Sequence, residues 1–162
     1  MSNSFREAEI SIGTTVRDQA IMDDSGSFSI EQLEGVVWPQ PPEDATRLMR
    51  SVYELRRRPI RELAPEDLRV LLGQGEGVAA LLPRALRLLE ENPLAEGDYY
   101  PGDLLVATLG VAPPFWRDNP EYAAQMGHVI QKIEAMGNLD DLYAPHDNIW
   151  EAIEKFRTNS AR

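Results

Sequence analysis

Apolar residues recur along most of the chain at helical rather than alternating spacing, and the interruptions between these runs are prolines and glycines. Residues 1–27 have weak periodicity and many small polar side chains, which predicts a loosely held extension. Ser29 followed three residues later by Gln32 forms a capping box, and Ile30 with Leu33 gives the short helix after it one apolar side. The stretch VVWPQPP, Val36 to Pro42, breaks the regularity, and Trp38 within it is expected to plug the edge of the core. An amphipathic helix is expected from about Glu43 to Arg57, with Ala45, Leu48, Met49, Val52 and Leu55 or Arg56 on one face. Glu43 or Asp44 suits its positive end; Arg56, Arg57 and Arg58 read as a dipole complement and solvated face at its negative end, and Pro59 stops it.

The next run, LAPEDLRVLLGQG, places Pro65 in a first helical turn, Glu66 and Asp67 after it, Leu68, Leu71 and Leu72 on the apolar face, and Gly73 at the stop. VAALLPRALRLLEE, from Val78 to Glu91, is too apolar for a surface helix, so Leu81, Leu82, Ala85, Leu86 and Leu89 are assigned to the core. Pro83 either begins a second helix there or kinks one long helix. NPLAEGDYYPGDLL is a punctuated turn leading to a helix begun at Pro101 or Asp103. APPFWRDNPE reads as a connector that buries Phe115 and Trp116. Asn119, Pro120 and Glu121 start another helix with Met126, Val129, Ile130, Ile133 and Met136 inside, and a last helix from His146 or Asp147 presents Ile149, Trp150, Ile153 and Phe156. With no alternating run, the fold is expected to be all-α, a single compact bundle of about six to eight helices with proline- and glycine-rich connectors. Its expected limits are residues 28–157, with 1–27 as an extension and 158–162 as a tail.

Composition supports a folded chain: 43% hydrophobic and 27% charged residues in a length of 162 suit one domain with a sizeable core. No apolar run approaches the roughly 20 residues a membrane span needs, and no signal-like segment opens the chain, so the cytoplasm is the expected location and no membrane the expectation. Charge changes the picture more. The net charge is −11. Between Glu90 and Asp147 eleven acids face only Arg117 and Lys132, whereas Arg47 to Arg69 holds seven arginines against four acids. Such a balance repels phosphate backbones, which argues against direct nucleic-acid binding, and favours a basic partner.

Motifs for catalysis are missing. There is no cysteine, hence no disulfide, thiolate zinc site or cysteine nucleophile. GQGEG lacks the Lys-Ser/Thr of a phosphate loop, no Gly-x-Ser-x-Gly elbow occurs, and Glu96, Asp98 and Asp103 do not follow the spacing of a calcium loop. The two histidines, His128 and His146, have no zinc-type spacing. Only DDLYAPHD, with Asp140, Asp141, His146 and Asp147, offers a set able in principle to hold a divalent cation and activate water. The expectation is a protein without catalytic residues, metal or cofactor.

Several blocks in order, Leu33-Glu34 with Trp38, PPEDAT, LRRRPI with Leu63, PEDLRVLLGQGEGV and LLPRALRLLEENPLAEGDYYPGDLL, resemble immunity proteins of bacterial contact-dependent growth inhibition systems. The resemblance runs from Leu33 to Leu109, about half the chain. It implies a cytoplasmic, non-catalytic helical protein that binds and neutralises the C-terminal domain of a cognate toxin, often a nuclease. The charge balance points the same way independently, because a nuclease presents a basic groove to phosphate. The expected toxin-contacting residues are Glu90, Glu91, Glu96, Asp98, Tyr99, Tyr100 and Asp103. Residues shared across a family that meets different toxins can instead be scaffold, which places specificity in Asp118, Glu121, Asp140, Asp141 and Asp147. Two other classes stay open: an acidic helical adaptor for a basic host protein, and a metal-dependent hydrolase built on Asp140, Asp141 and His146.

Overall fold

In a computed structural model, residues 26–161 are described, and they form eight α-helices and two short 3-10 turns with no strand among them. The expected extension, residues 1–27, lies almost wholly outside the described residues. Helix α1, Ile30–Glu34, begins at the predicted capping box: the Gln32 amide donates to Ser29 Oγ and the Ser29 amide donates to the Gln32 side chain. Helix α2, Arg47–Leu55, is shorter than its periodicity implied, because Thr46 caps it by accepting from the Met49 amide and the prolines before it hold a turn. α2 packs at the edge of the bundle against α3, Pro65–Gly73, and buries Val52 and Leu55. Leu48 and Met49, expected inside, stay 44% and 43% exposed.

Arg56 is a second correction. It is not a solvated helix-end charge but is 1% exposed, with ion pairs to Glu34 at 2.9 Å and Glu76 at 3.1 Å and its guanidinium 4.2 Å from the Trp38 ring centre. Its Nη2 also donates to the Val36 carbonyl, so one cation ties α1, the VVWPQPP segment and the turn after α3 to the end of α2. Arg57 and Arg58 remain exposed.

The centre is α4, Val78–Glu91, and α5, Asp103–Leu109. α4 continues through Pro83 as one helix and buries Leu81, Leu82, Ala85, Leu86 and Leu89, the predicted face. α5 lies across α3, and α8, His146–Ser160, covers α5 through Ile149, Ile153 and Phe156. The APPFWRDNPE segment is not a plain connector: Pro113–Asp118 forms helix α6, since a proline in the first helical turn forfeits no intrahelical hydrogen bond. Trp116 within it is buried, donates to the Val111 carbonyl at 3.1 Å and meets Phe156 edge-on. α7, Pro120–Ala135, closes the bundle against α4.

The helix directions sort the loops into two ends. Lys132, in the last turn of α7, pairs with Glu90 at the end of α4, and Gly102, which opens α5, lies against Ile149 in the first turns of α8. Those four helix ends therefore share one pole. Asn159 and Ser160, at the far end of α8, line a cleft with Trp116 and Pro120 at the other.

Candidate functional site

The shared pole is built on the loop between α4 and α5. Asn92 starts it by accepting from the Leu94 amide through its side chain, Leu94 and Ala95 turn inward, and Glu96 pairs with Pro101 in an isolated antiparallel bridge. Asp103 then governs the segment between. It is 3% exposed; its Oδ1 accepts from the Gly97 amide at 2.6 Å, and its Oδ2 from the Tyr99 amide at 3.0 Å and, more weakly, from Tyr100. Glu66, in the first turn of α3, reaches across and accepts from the Asp98 amide at 2.6 Å. Four successive backbone donors thus meet carboxylates from beneath.

Those carboxylates need a cation, and Arg69 supplies it. Its Nε lies 2.9 Å from each Glu66 oxygen and 3.9 Å from Asp103, and its guanidinium stacks 4.4 Å from the centre of the Tyr99 ring. The Arg69 hydrogen bonds, joined by the Asp98 amide, hold the Glu66 carboxyl below its ordinary range, and Glu66 in turn raises the Arg69 guanidinium. Burial, helped by Asp103, pushes the Tyr100 phenol up. Glycine matters at two points, most of all at Gly102 with its left-handed backbone. A Cβ on Gly97 would collide with the Glu66 and Asp103 carboxylates, and Gly102, at φ +95°, would set one 2.7 Å from Ile149 Cδ1.

The expected contact residues do not form one face. Glu91, Glu96, Asp98 and Tyr99 are exposed at the α4–α5 loop, with Tyr99 at 71%, and Asp98 and Tyr99 edge a polar cleft of about 570 Å³ against α2 and α3. Glu90 is half-buried and paired with Lys132, and Tyr100 is half-buried. Asp103 is inside and supports the loop rather than presenting itself. Asp140, Asp141 and Asp147 are exposed at the same pole, around the start of α8. Asp118 and Glu121 are exposed but lie at the other end of α7, whose 16 residues span about 24 Å. Glu91, Glu96, Asp98, Asp140, Asp141 and Asp147 pair with no base among the described residues.

Glu66 and Arg69 went unread as site residues. An acid and a base three apart on a helix are an ordinary surface pair, and nothing local shows that Asp98, 32 positions later, docks on them. Around Asp140 the polar groups serve the turn: the Leu139 amide donates to His146 Nδ1 and the His146 amide to Asp140 Oδ1. No group of three His, Cys, Asp or Glu placed to hold a metal occurs among the described residues, and none of their helices is long and apolar enough to cross a membrane. A family model described as CDI immunity proteins matches residues 32–126, more than half of the chain. The match takes in the whole α4–α5 loop with Glu66 and Arg69, and ends within α7 before the Asp140 turn. No curated protein and no solved structure matches.

Proposed function

We propose that this chain, which belongs to the CDI immunity proteins, neutralises the C-terminal toxin domain of a contact-dependent growth inhibition system by setting its acidic pole against a basic surface of that domain. Immunity proteins of this kind are toxin-neutralising binders rather than enzymes. The observation that carries the finer reading is the concentration of unpaired acids, Glu91, Glu96, Asp98, Asp140, Asp141 and Asp147, at one pole of the bundle. A nuclease is the toxin class that best fits, because its groove must be basic to hold phosphate, and an acidic protein surface competes for the same field. The cytoplasm, where nucleic acid is the target, is the matching site of action.

Attraction alone sets encounter rate and partner choice, while affinity needs an anchor. Tyr99 fits that role: it offers a large ring at low conformational cost, and its backbone is already fixed by Asp103. The loop therefore binds without first being ordered, and the ordering entropy that a floppy loop loses on docking is avoided.

The test is Glu96→Lys with Asp98→Lys, titrated with the C-terminal domain of the cognate toxin at two salt concentrations. The expected result is affinity lower by tenfold or more in low salt and a weaker salt dependence. Unchanged affinity and salt slope would sink the contact assigned to this loop.

A further inference from the structure

The turn between α7 and α8 carries a feature that the acidic pole alone does not require. Tyr143 has φ +62°, alone among the described non-glycine residues in that region, and its side chain is 90% exposed. Its ring makes no aromatic or hydrogen-bonded contact among the described residues. The backbone around it is fixed. The 3-10 turn Leu139–Leu142 is capped by Asn138, the Tyr143 amide donates to the Asp140 carbonyl and the Ala144 amide to the Leu139 carbonyl, and Leu139 and Ala144 are buried on either side. The Leu139 amide donating to His146 Nδ1 and the His146 amide donating to Asp140 Oδ1 tie the turn to the start of α8. A bulky residue at positive φ is uncommon, glycine being the residue that takes this conformation freely.

We infer that Tyr143, with the 45% exposed Leu142 beside it, is an anchor carried on a fixed backbone that inserts into an apolar slot framed by basic residues on the toxin domain. The occupant follows from charge. Asp140, Asp141 and Asp147 are exposed within four positions of Tyr143 along the chain, so a matching surface is basic near the turn and apolar where the ring enters. A two-fold contact with a second copy of this chain would bring the same acids against themselves. The turn also lies outside residues 32–126, which the family model matches, whereas the α4–α5 loop lies within them, so a contact here would be a second one, apart from Tyr99. This inference rests on the immunity reading and names that second contact.

Tyr143→Gly separates the anchor from a structural role, because stability and binding are expected to move in opposite directions. Glycine takes φ +62° without strain, so the melting temperature of the full chain is expected to rise by a few degrees. Affinity for the C-terminal domain of the cognate toxin, by calorimetry or surface resonance, is expected to fall tenfold or more through faster dissociation. Wild-type binding with unchanged affinity for Tyr143→Gly overturns the anchor and leaves the immunity reading standing. A lower melting temperature also overturns it, by showing that the ring serves the fold. Loss of a wild-type dimer, seen by sedimentation, overturns it in favour of self-contact. Absence of binding by the wild type overturns the immunity reading itself, and the anchor with it.

Discussion

Replacing Asp103 with alanine tests whether the α4–α5 loop is held from beneath. The carboxylate accepts from the Gly97 amide at 2.6 Å and the Tyr99 amide at 3.0 Å while only 3% exposed. Hydrogen bonds to a charged acceptor contribute about 1.5–3 kcal/mol each. Two of them would sum to about 3–6 kcal/mol, but the loop is partly exposed and its freed amides recover water, so a net cost near 3 kcal/mol is expected. Arg69 keeps Glu66 as its partner, and no buried cation is orphaned. For a domain of this size about 3 kcal/mol lowers Tm by roughly 6–12 °C. Amide exchange locates the damage: the Gly97 and Tyr99 amides are expected to exchange through local opening, speeding by more than the roughly 100-fold that a global loss of about 3 kcal/mol gives the core amides of α4. Asp98→Asn, at an exposed neighbour, is the control and should stay within about 0.5 kcal/mol of wild type. The reasoning fails if Asp103→Ala unfolds within that same margin and its loop amides remain protected.

Two further changes probe the supports around the site. Arg56→Met keeps the stem volume and removes the charge shared by Glu34 and Glu76; a loss of about 3 kcal/mol in urea unfolding is expected, the low end for a broken buried pair because both acids can return to water. A wild-type midpoint would mean that Arg56 acts as an ordinary helix-end charge. Acid should loosen the loop: Glu66 titrates below its ordinary value of 4.5 in the fold, so its stabilisation is complete above that pH and is lost as pH falls through the folded value. Asp98 amide protection is expected to fall in that window, and Glu66→Gln to flatten the acid limb of the stability curve; an unchanged limb would remove Glu66 as its source.

Helix faces were legible where each residue's neighbours lie within one turn. Leu81, Leu82, Ala85, Leu86 and Leu89 follow from spacing alone because α4 is surrounded, so every apolar position on its broad face finds a partner. α2 has an equally regular face, yet Leu48 and Met49 remain outside because the helix lies at an edge, and periodicity does not report how many neighbours a helix has. Arg56 was misread for a related reason. Three consecutive arginines look identical in sequence, and only the arrival of Glu34, Glu76 and Trp38 from other elements makes one of them a core residue. At the site, the glycines and prolines of NPLAEGDYYPGDLL announced a turn, but the division between acids that hold it and acids that face solvent depends on Asp103 pointing inward and on Glu66 arriving from α3. Tyr143 carried no signal at all, since a left-handed backbone at a tyrosine is set by the turn around it.

That division also separates the atoms that hold the loop from the atoms that are free to meet a partner. The amides of Gly97, Asp98, Tyr99 and Tyr100 are directed inward to Asp103 and Glu66, and Arg69 answers one of the two charges those carboxylates carry. What remains outward is Glu96, the Asp98 carboxylate and the Tyr99 ring, and among the described residues neither acid forms an ion pair, although Asp98 borders a cleft that also holds Arg47 and Arg58. Substituting an inward residue therefore changes stability first and binding only as a consequence, whereas substituting an outward one changes binding at nearly constant stability.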